Sequence, residues 1–385
     1  MKLPLYQFNL PIKAHYGVGA CDQLGLIMDE LGSRRIFLVT DQGVVKAGHP
    51  QKIISLAEQG KRKIELFDKV VPNPRDKTVM EAVELYKAYS PDLLIGLGGG
   101  SCMDTAKMVR AIAEAGGSPR QYEGYAKFKR KAKTPLVAIP TTAGTGSEMD
   151  GWAAITDTER RFKMVIGDPD ALAPTFSLID PALTLTLPPH LTAETGMDAF
   201  IHALEAHVST ANSPITDAVA LRAMELLAAN LRDAWAHGEN ILAREPVMYA
   251  AMMAGIAISN SDCGAIHVIA EVVGGLYDIR HGLAVASFAP AIIRYNTPAA
   301  APRMANVAKA MGDSLGAADK VWQEVTRLVA DLGIPRPSQL GIARKDIPEI
   351  ARLCPQNASS GGNPRAMGEQ DFLRLTEECL DSDLW

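Results

Sequence analysis

DLLIGLGGGSCMDTAK, residues 92–107, is the stretch that decides the fold. The apolar run 92–98 has the length of a buried strand, and it feeds into Gly98, Gly99, Gly100 and Ser101. Asp104, Ala106, Lys107, Met108, Ala111 and Ile112 then take up helical spacing. Ser101 and Asp104 stand at capping-box separation, which places both side chains on free amides of the first turn. A strand, a glycine turn and a helix start aim unpaired amides and the positive end of the helix dipole at one spot, which makes an anion site. Consecutive glycines let a pyrophosphate approach the backbone closely. The spacing is not GxGxxG, so a tight turn without a ligand stays open as the alternative.

Upstream, elements alternate: a helix over 20–31, a strand over 35–40, a helix after Val44 and a strand over 63–67. That alternation predicts a parallel sheet with helices on both faces. Residues 5–16 read as strand material broken by Pro11, at the edge of the sheet. Downstream, the buried strand 136–140 runs into TTAGTGSE, residues 141–148, a second loop able to wrap polar groups of a nucleotide. Asp41, at the end of the strand 35–40, fits either of two roles. It can bond the ribose hydroxyls of an adenosine and repel a 2′-phosphate, favouring NAD over NADP, or it can cap a helix. The basic run 127–133 reads as a solvated loop or strand lead-in.

Beyond residue 185 strand signals largely stop. Helical periodicity covers 192–208, 214–235, 245–260, 265–274, 300–311, 317–332 and 369–380. A chain of 385 residues is long for one core. The expected organisation is an α/β dinucleotide-binding domain over 1–185 and an all-helical metal and substrate domain over 186–385. Hydrophobic residues at 47% and charged residues at 22% fit a soluble globular protein, and a net charge of −5 argues against nucleic-acid binding. Five cysteines without CxxC pairing signal no disulfide framework and fit a reducing cytoplasm. No basic segment precedes an apolar one at the N-terminus, and no stretch approaches eighteen consecutive apolar residues, so neither secretion nor a membrane span is expected.

Asp198 and His202 are one turn apart in a helical pattern, which puts a carboxylate and an imidazole on one face. His267 and His281 flank a run containing Gly274 and Gly275. Each of these histidines alone reads as structural. Together with Asp198 they form the set that ferrous iron or zinc would choose. His207 falls on another helical face, and His15, His49, His190 and His237 lie beside turns or prolines as surface residues.

GLGGGSxxDxAK at 96–107, PTTAGTGSE at 140–148, MDAFIHALE at 197–205 and HGLAVA at 281–286 together resemble the iron-containing (group III) alcohol dehydrogenases. The resemblance spans nearly the whole chain, including VPNP at 71–74 and GGNPR at 361–365. It implies an N-terminal Rossmann-like domain with a parallel sheet and an all-α C-terminal domain, the dehydroquinate synthase-like arrangement, with a metal in the cleft between them. By resemblance, Asp198, His202, His267 and His281 are the ligands. Gly99, Gly100, Ser101, Thr141, Thr142 and Thr145 hold the cofactor, Asp41 takes its adenosine ribose, and Asn73 and Lys163 face it. The implied activity interconverts a primary or secondary alcohol and its aldehyde or ketone by hydride transfer with NAD(H). Small-molecule substrates and a homodimer or larger assembly are implied too. Four protein ligands leave an open position only on an ion that accepts five or six, which favours Fe2+ over Zn2+. The rival readings are a polyol dehydrogenase, a maleylacetate-type reductase, a dehydroquinate synthase-like lyase and a non-enzymatic assembly protein with a degenerate site.

Two positions depart from the family pattern. Glu271 stands where a histidine is common and Arg280 where a proline is common. Glu271 is read as a proton-transfer group, as an extra ligand or as the ion-pair partner of Arg280. Trp152 either narrows the substrate pocket or stacks on the nicotinamide. With Ile258 and Ser359 it is expected to line a pocket for a small or medium carbonyl compound.

Overall fold

The computed structural model describes residues 5–381. Its strands are β1 (Lys13–Tyr16), β2 (Arg35–Asp41), β3 (Lys63–Val70), β4 (Leu93–Gly98), β5 (Gly124–Tyr125), β6 (Leu136–Pro140), β7 (Trp152–Asp157), β8 (Phe162–Gly167) and β9 (Phe176–Ile179). The α-helices of the first part are α1 (Leu24–Glu30), α2 (Gln42–Lys46), α3 (His49–Gln59), α4 (Asp76–Tyr89), α5 (Gly100–Ala115) and α6 (Pro169–Leu172). Those that follow are α7 (Pro189–Val208), α8 (Pro214–Ala236), α9 (Ile241–Ser259), α10 (Ala265–Tyr277), α11 (His281–Asn296), α12 (Ala301–Ala310), α13 (Val321–Asp331), α14 (Ile347–Leu353) and α15 (Glu369–Asp381).

LLIGLG in β4 and LVAIP in β6 are buried at every position, as strands covered on both faces must be. They sit inside a six-stranded sheet of order β1-β9-β6-β4-β2-β3 in which every neighbour is parallel. Alternation along β2 divides the cover: Phe37 and Val39 pack with α4 and α5, while Ile36 and Leu38 pack with α1 and α3. The register Gly98↔Pro140 brings the ends of β4 and β6 side by side, so the two loops that follow them share one edge of the sheet.

The sequence reading missed a second, three-stranded sheet, β5-β8-β7, in which β7 and β8 are antiparallel. That hairpin carries Trp152 and Lys163. The helical part is built around α7, which is buried from Thr192 to Val208 apart from half-buried Thr195. An element buried on all sides is the axis of a core, and α8, α9 and α11 pack around it. Helix α9 is long and apolar enough to cross a membrane by length and composition alone, but more than half of it is buried inside the fold.

The expected capping box at Ser101 and Asp104 does not form. Gly99 is the N-cap of α5 and makes no side-chain cap. Asp104 turns instead toward the second loop, where its Oδ1 accepts from Ser147 Oγ at 2.6 Å and its Oδ2 from Ala154 N–H at 3.0 Å. One turn later the wholly buried Lys107 donates to Ser147 Oγ (2.7 Å), Asp150 Oδ1 (2.7 Å) and the Trp152 carbonyl (2.8 Å). Burial pushes the Asp150 carboxyl up to about 6 against the pull of Lys107. This network binds α5 to the 141–152 segment. Replacing Lys107 by Met strands a buried carboxylate and is expected to cost about 3–5 kcal/mol of stability in urea unfolding; a loss under about 1 kcal/mol would show that the network does not hold the loops.

Candidate metal centre and its cleft

Glu194, Asp198, His202 and Glu205 follow one another at separations of four, four and three residues and so share a face of α7. His267 comes from the first turn of α10, and His281 is the first residue of α11. The structure brings Asp198, His202, His267 and His281 together, with one ligand atom from each lying within 4.8 Å of the others. Asp198 Oδ1 is 3.6 Å from Nε2 of both His267 and His281, and Asp198 Oδ2 is 3.9 Å from His202 Nδ1. The His202 and His267 rings stack at 4.3 Å.

Asp198 Oδ1, His202 Nδ1 and His267 Nε2 are buried without a hydrogen-bond partner. Each such atom costs roughly 1–3 kcal/mol unless a ligand engages it, and these three converge. Two of the three rings are held in the form a cation needs. Burial pushes His202 down to about 4 and, with Lys163, holds His281 well below its usual range, so both rings are neutral. Burial raises the Asp198 carboxyl, and positive charge placed beside it, on a neighbouring ring or on a bound cation, holds it well below the usual carboxylate range. The donor set therefore fits a divalent ion of borderline softness.

His267 has a different setting. Its Nδ1–H donates to Glu205 Oε2 at 2.6 Å, leaving Nε2 toward Asp198. Burial acts to lower this ring's pKa, and Glu205 with Asp198 reverses that to about 10. Glu205 also accepts from Gly264 N–H (2.8 Å) and Ile266 N–H (2.9 Å) at the start of α10. One carboxylate thus caps a helix and fixes the orientation of a ligand candidate. Sequence pattern alone gives Glu205 no such role; its position three residues after His202, on the same face of α7, is the signal that could have found it.

The proposed ion pair between Glu271 and Arg280 is absent. Arg280 binds Glu194 bidentately, with Nε 2.7 Å from Oε2, and Glu194 lies one turn before Asp198. Glu271 is buried one turn after His267 and accepts from Ser359 Oγ at 3.3 Å. Burial raises its pKa, and Lys163 and His267 oppose the rise.

These groups line one cavity of about 890 Å³. Gly99, Gly100, Ser101, Thr141, Thr142 and Thr145 form one wall, and Trp152, Ile258 and Ser359 lie on the same cavity. A Cβ on Gly100 would stand 2.7 Å from Thr145 Cγ2, so the two loops close on each other only with glycine there. Gly146, in the left-handed region at φ 66°, lets the second loop touch Gly255 of α9 backbone to backbone. Asp41 caps α2, its Oδ1 accepting from Gly43 N–H (2.7 Å) and Val44 N–H (2.9 Å), while the Cys102 thiol meets Oδ2 at 3.2 Å. It also lines the cavity, as do Asn73 and Lys163, whose Nζ donates to Asn73 Oδ1 at 3.3 Å. His207 bonds Asp217 at 2.8 Å and stays outside the cluster.

A family model described as iron-containing alcohol dehydrogenase matches residues 11–181, and one described as the C-terminal part of the Fe-containing alcohol dehydrogenase family matches 192–380. The chain is 36% identical over 387 residues to a choline dehydrogenase of Bacillus subtilis (strain 168), covering 98% of this chain and 95% of the relative. It is 36% identical over 389 residues to a 1,3-propanediol dehydrogenase of Klebsiella pneumoniae, covering 99% and 100%. Among solved structures, an alcohol dehydrogenase from Oenococcus oeni superposes with a TM-score of 0.92 at 32% identity, covering 97% and 100%.

Replacing Glu205 by Ala is expected to weaken metal binding by about 10–100-fold, as read by competition with a chelator. Unchanged affinity would show that the His267–Glu205 bond serves only the fold.

Proposed function

The chain belongs to the iron-containing alcohol dehydrogenase family, and from that premise we propose that it interconverts a small alcohol and its carbonyl compound by NAD(H)-dependent hydride transfer. The observation that carries the reading is the convergence of unpartnered Asp198, His202 and His267 atoms on the cavity lined by the α5 glycine turn. Asp198, His202, His267 and His281 would hold the ion, Fe2+ in preference to Zn2+. When bound, the ion supplies Lewis acidity toward the substrate oxygen, and the nicotinamide donates or accepts the hydride.

The protein's own groups supply position and a place for the proton. Amides at the start of α5 and the Thr141, Thr142 and Thr145 hydroxyls hold the dinucleotide, with Asn73 and Lys163 beside it. Asp41, with two amides on Oδ1 and the Cys102 thiol on Oδ2, keeps acceptor capacity on Oδ2 for the adenosine ribose, which disfavours NADP. Glu271 acts as the proton-transfer group, and Ser359 orients it. Trp152 and Ile258 exclude water from the substrate end. The relatives named for choline and 1,3-propanediol support a small alcohol with a polar far end. Residues 1–185 serve the dinucleotide and residues 186–385 the metal and substrate. The free cysteines support a cytoplasmic location, and exposed Tyr16 at the end of edge strand β1, with exposed Val18 just after it, supports a homodimer or larger assembly.

Protein purified without oxygen is expected to hold iron and to reduce NAD with a panel of small alcohols, followed by NADH absorbance. Absence of both bound metal and turnover would overturn the reading. His281→Ala is expected to release the metal and abolish turnover; full iron occupancy would remove His281 from the ligand set. Glu271→His is expected to raise activity or shift its pH optimum, whereas an unchanged pH profile would deny Glu271 the proton role.

A further inference from the structure

Asn73 lies on the dinucleotide side of the cleft, yet its amide is engaged by the metal side. It is 4% exposed, and Nδ2 donates to Asp278 Oδ1 at 3.1 Å and to the Ile279 carbonyl at 3.0 Å. Its Oδ1 accepts from Lys163. Both bonded residues have left-handed backbone, Asn73 at φ 52° and Asp278 at φ 56°. Such a conformation is uncommon outside glycine and persists where surrounding contacts enforce it. Arg75 adds a second contact to Asp278, at 3.1 Å.

Asp278 ends α10, and His281 begins α11, so the turn 278–280 sets how that imidazole enters the cluster. The turn is gripped from two sides, by Asn73 and Arg75 from the first part of the chain and by Glu194 of α7 through Arg280. Residues 70–74 line the cavity, so a dinucleotide lying there bears on the segment that holds the turn.

We propose that the Asn73–Asp278 bond couples dinucleotide binding to metal retention, with Asn73 positioning His281 through the 278–280 turn. The proposal rests on the family reading of the cleft as a metal and dinucleotide site. Bound dinucleotide immobilises the Asn73 segment, the turn stays in place, and the metal leaves more slowly. By linkage, whatever factor the dinucleotide adds to the metal's equilibrium affinity, the metal adds to that of the dinucleotide.

The test loads the full chain with zinc and follows its release to a chromogenic chelator, with and without saturating NADH. NADH affinity is measured by fluorescence with and without zinc. In the wild type, NADH is expected to slow release by at least about 5-fold. Asn73→Gly keeps the left-handed backbone and removes the amide, and the ratio is expected to fall close to 1. Asp278→Gly leaves the Ile279 bond in place and should give an intermediate ratio. It carries the test alone if Asn73→Gly does not fold, which melting of the metal-free protein reports. Wild-type ratios in whichever variants fold would overturn the coupling. So would a ratio of 1 in a wild type that binds both zinc and NADH. A wild type that binds neither would overturn the family reading, and the coupling with it.

Discussion

A carboxylate and three imidazoles held inside a protein, with unpartnered atoms facing one another, form an arrangement that the rest of this structure serves. Left without a cation, the cluster would cost several unsatisfied buried groups. Keeping it together needs a rigid axis, and α7 supplies one by being buried along most of its length. The same face of α7 then reaches outward: Glu194 grips the turn before His281, and Glu205 holds His267 and the start of α10. Three helices thus converge because charges on one helix fix the ends of the other two.

The dinucleotide side has its own logic. Parallel strands deliver their following loops to one edge, and adjacent β4 and β6 place the glycine turn beside the hydroxyl-rich loop. Lys107 and Asp104 bind those loops together from beneath, and Gly100 allows Thr145 to close against α5. The hairpin β7–β8 completes the wall and brings Trp152 and Lys163 into the cavity. A single cleft therefore presents the α5 glycine turn, the hydroxyl-rich loop and the Asp198 and histidine cluster together.

Much of this was legible in the sequence because it depends on local pattern. Continuous apolar runs announced β4, which ends in Gly98, and β6, which ends in Pro140, and spacing of four put Asp198 and His202 on one face. Long-range polar pairing was not legible, since nothing near Arg280 names Glu194, 86 residues away. The pairing imagined for Arg280 with Glu271 failed for that reason: nearness in sequence stood in for nearness in space. Ser101 and Asp104 had capping spacing, but a buried lysine and a second loop offered Asp104 stronger partners. The hairpin β7–β8 was less legible because β7 ends in Asp157 and β8 carries the charged Lys163 inside its short apolar run. Asn73 lines the cavity, and its amide also reaches across the cleft to Asp278, a contact that no local pattern announces.

The role of the buried cluster is tested most directly by X-ray absorption at the iron edge of protein loaded without oxygen. The expected spectrum shows a first shell of nitrogen and oxygen only, with multiple scattering from three imidazoles. A sulfur ligand from Cys263, which lies near His267 and Glu205, or fewer imidazoles than three, would contradict the assignment of Asp198, His202, His267 and His281 as the metal's ligands.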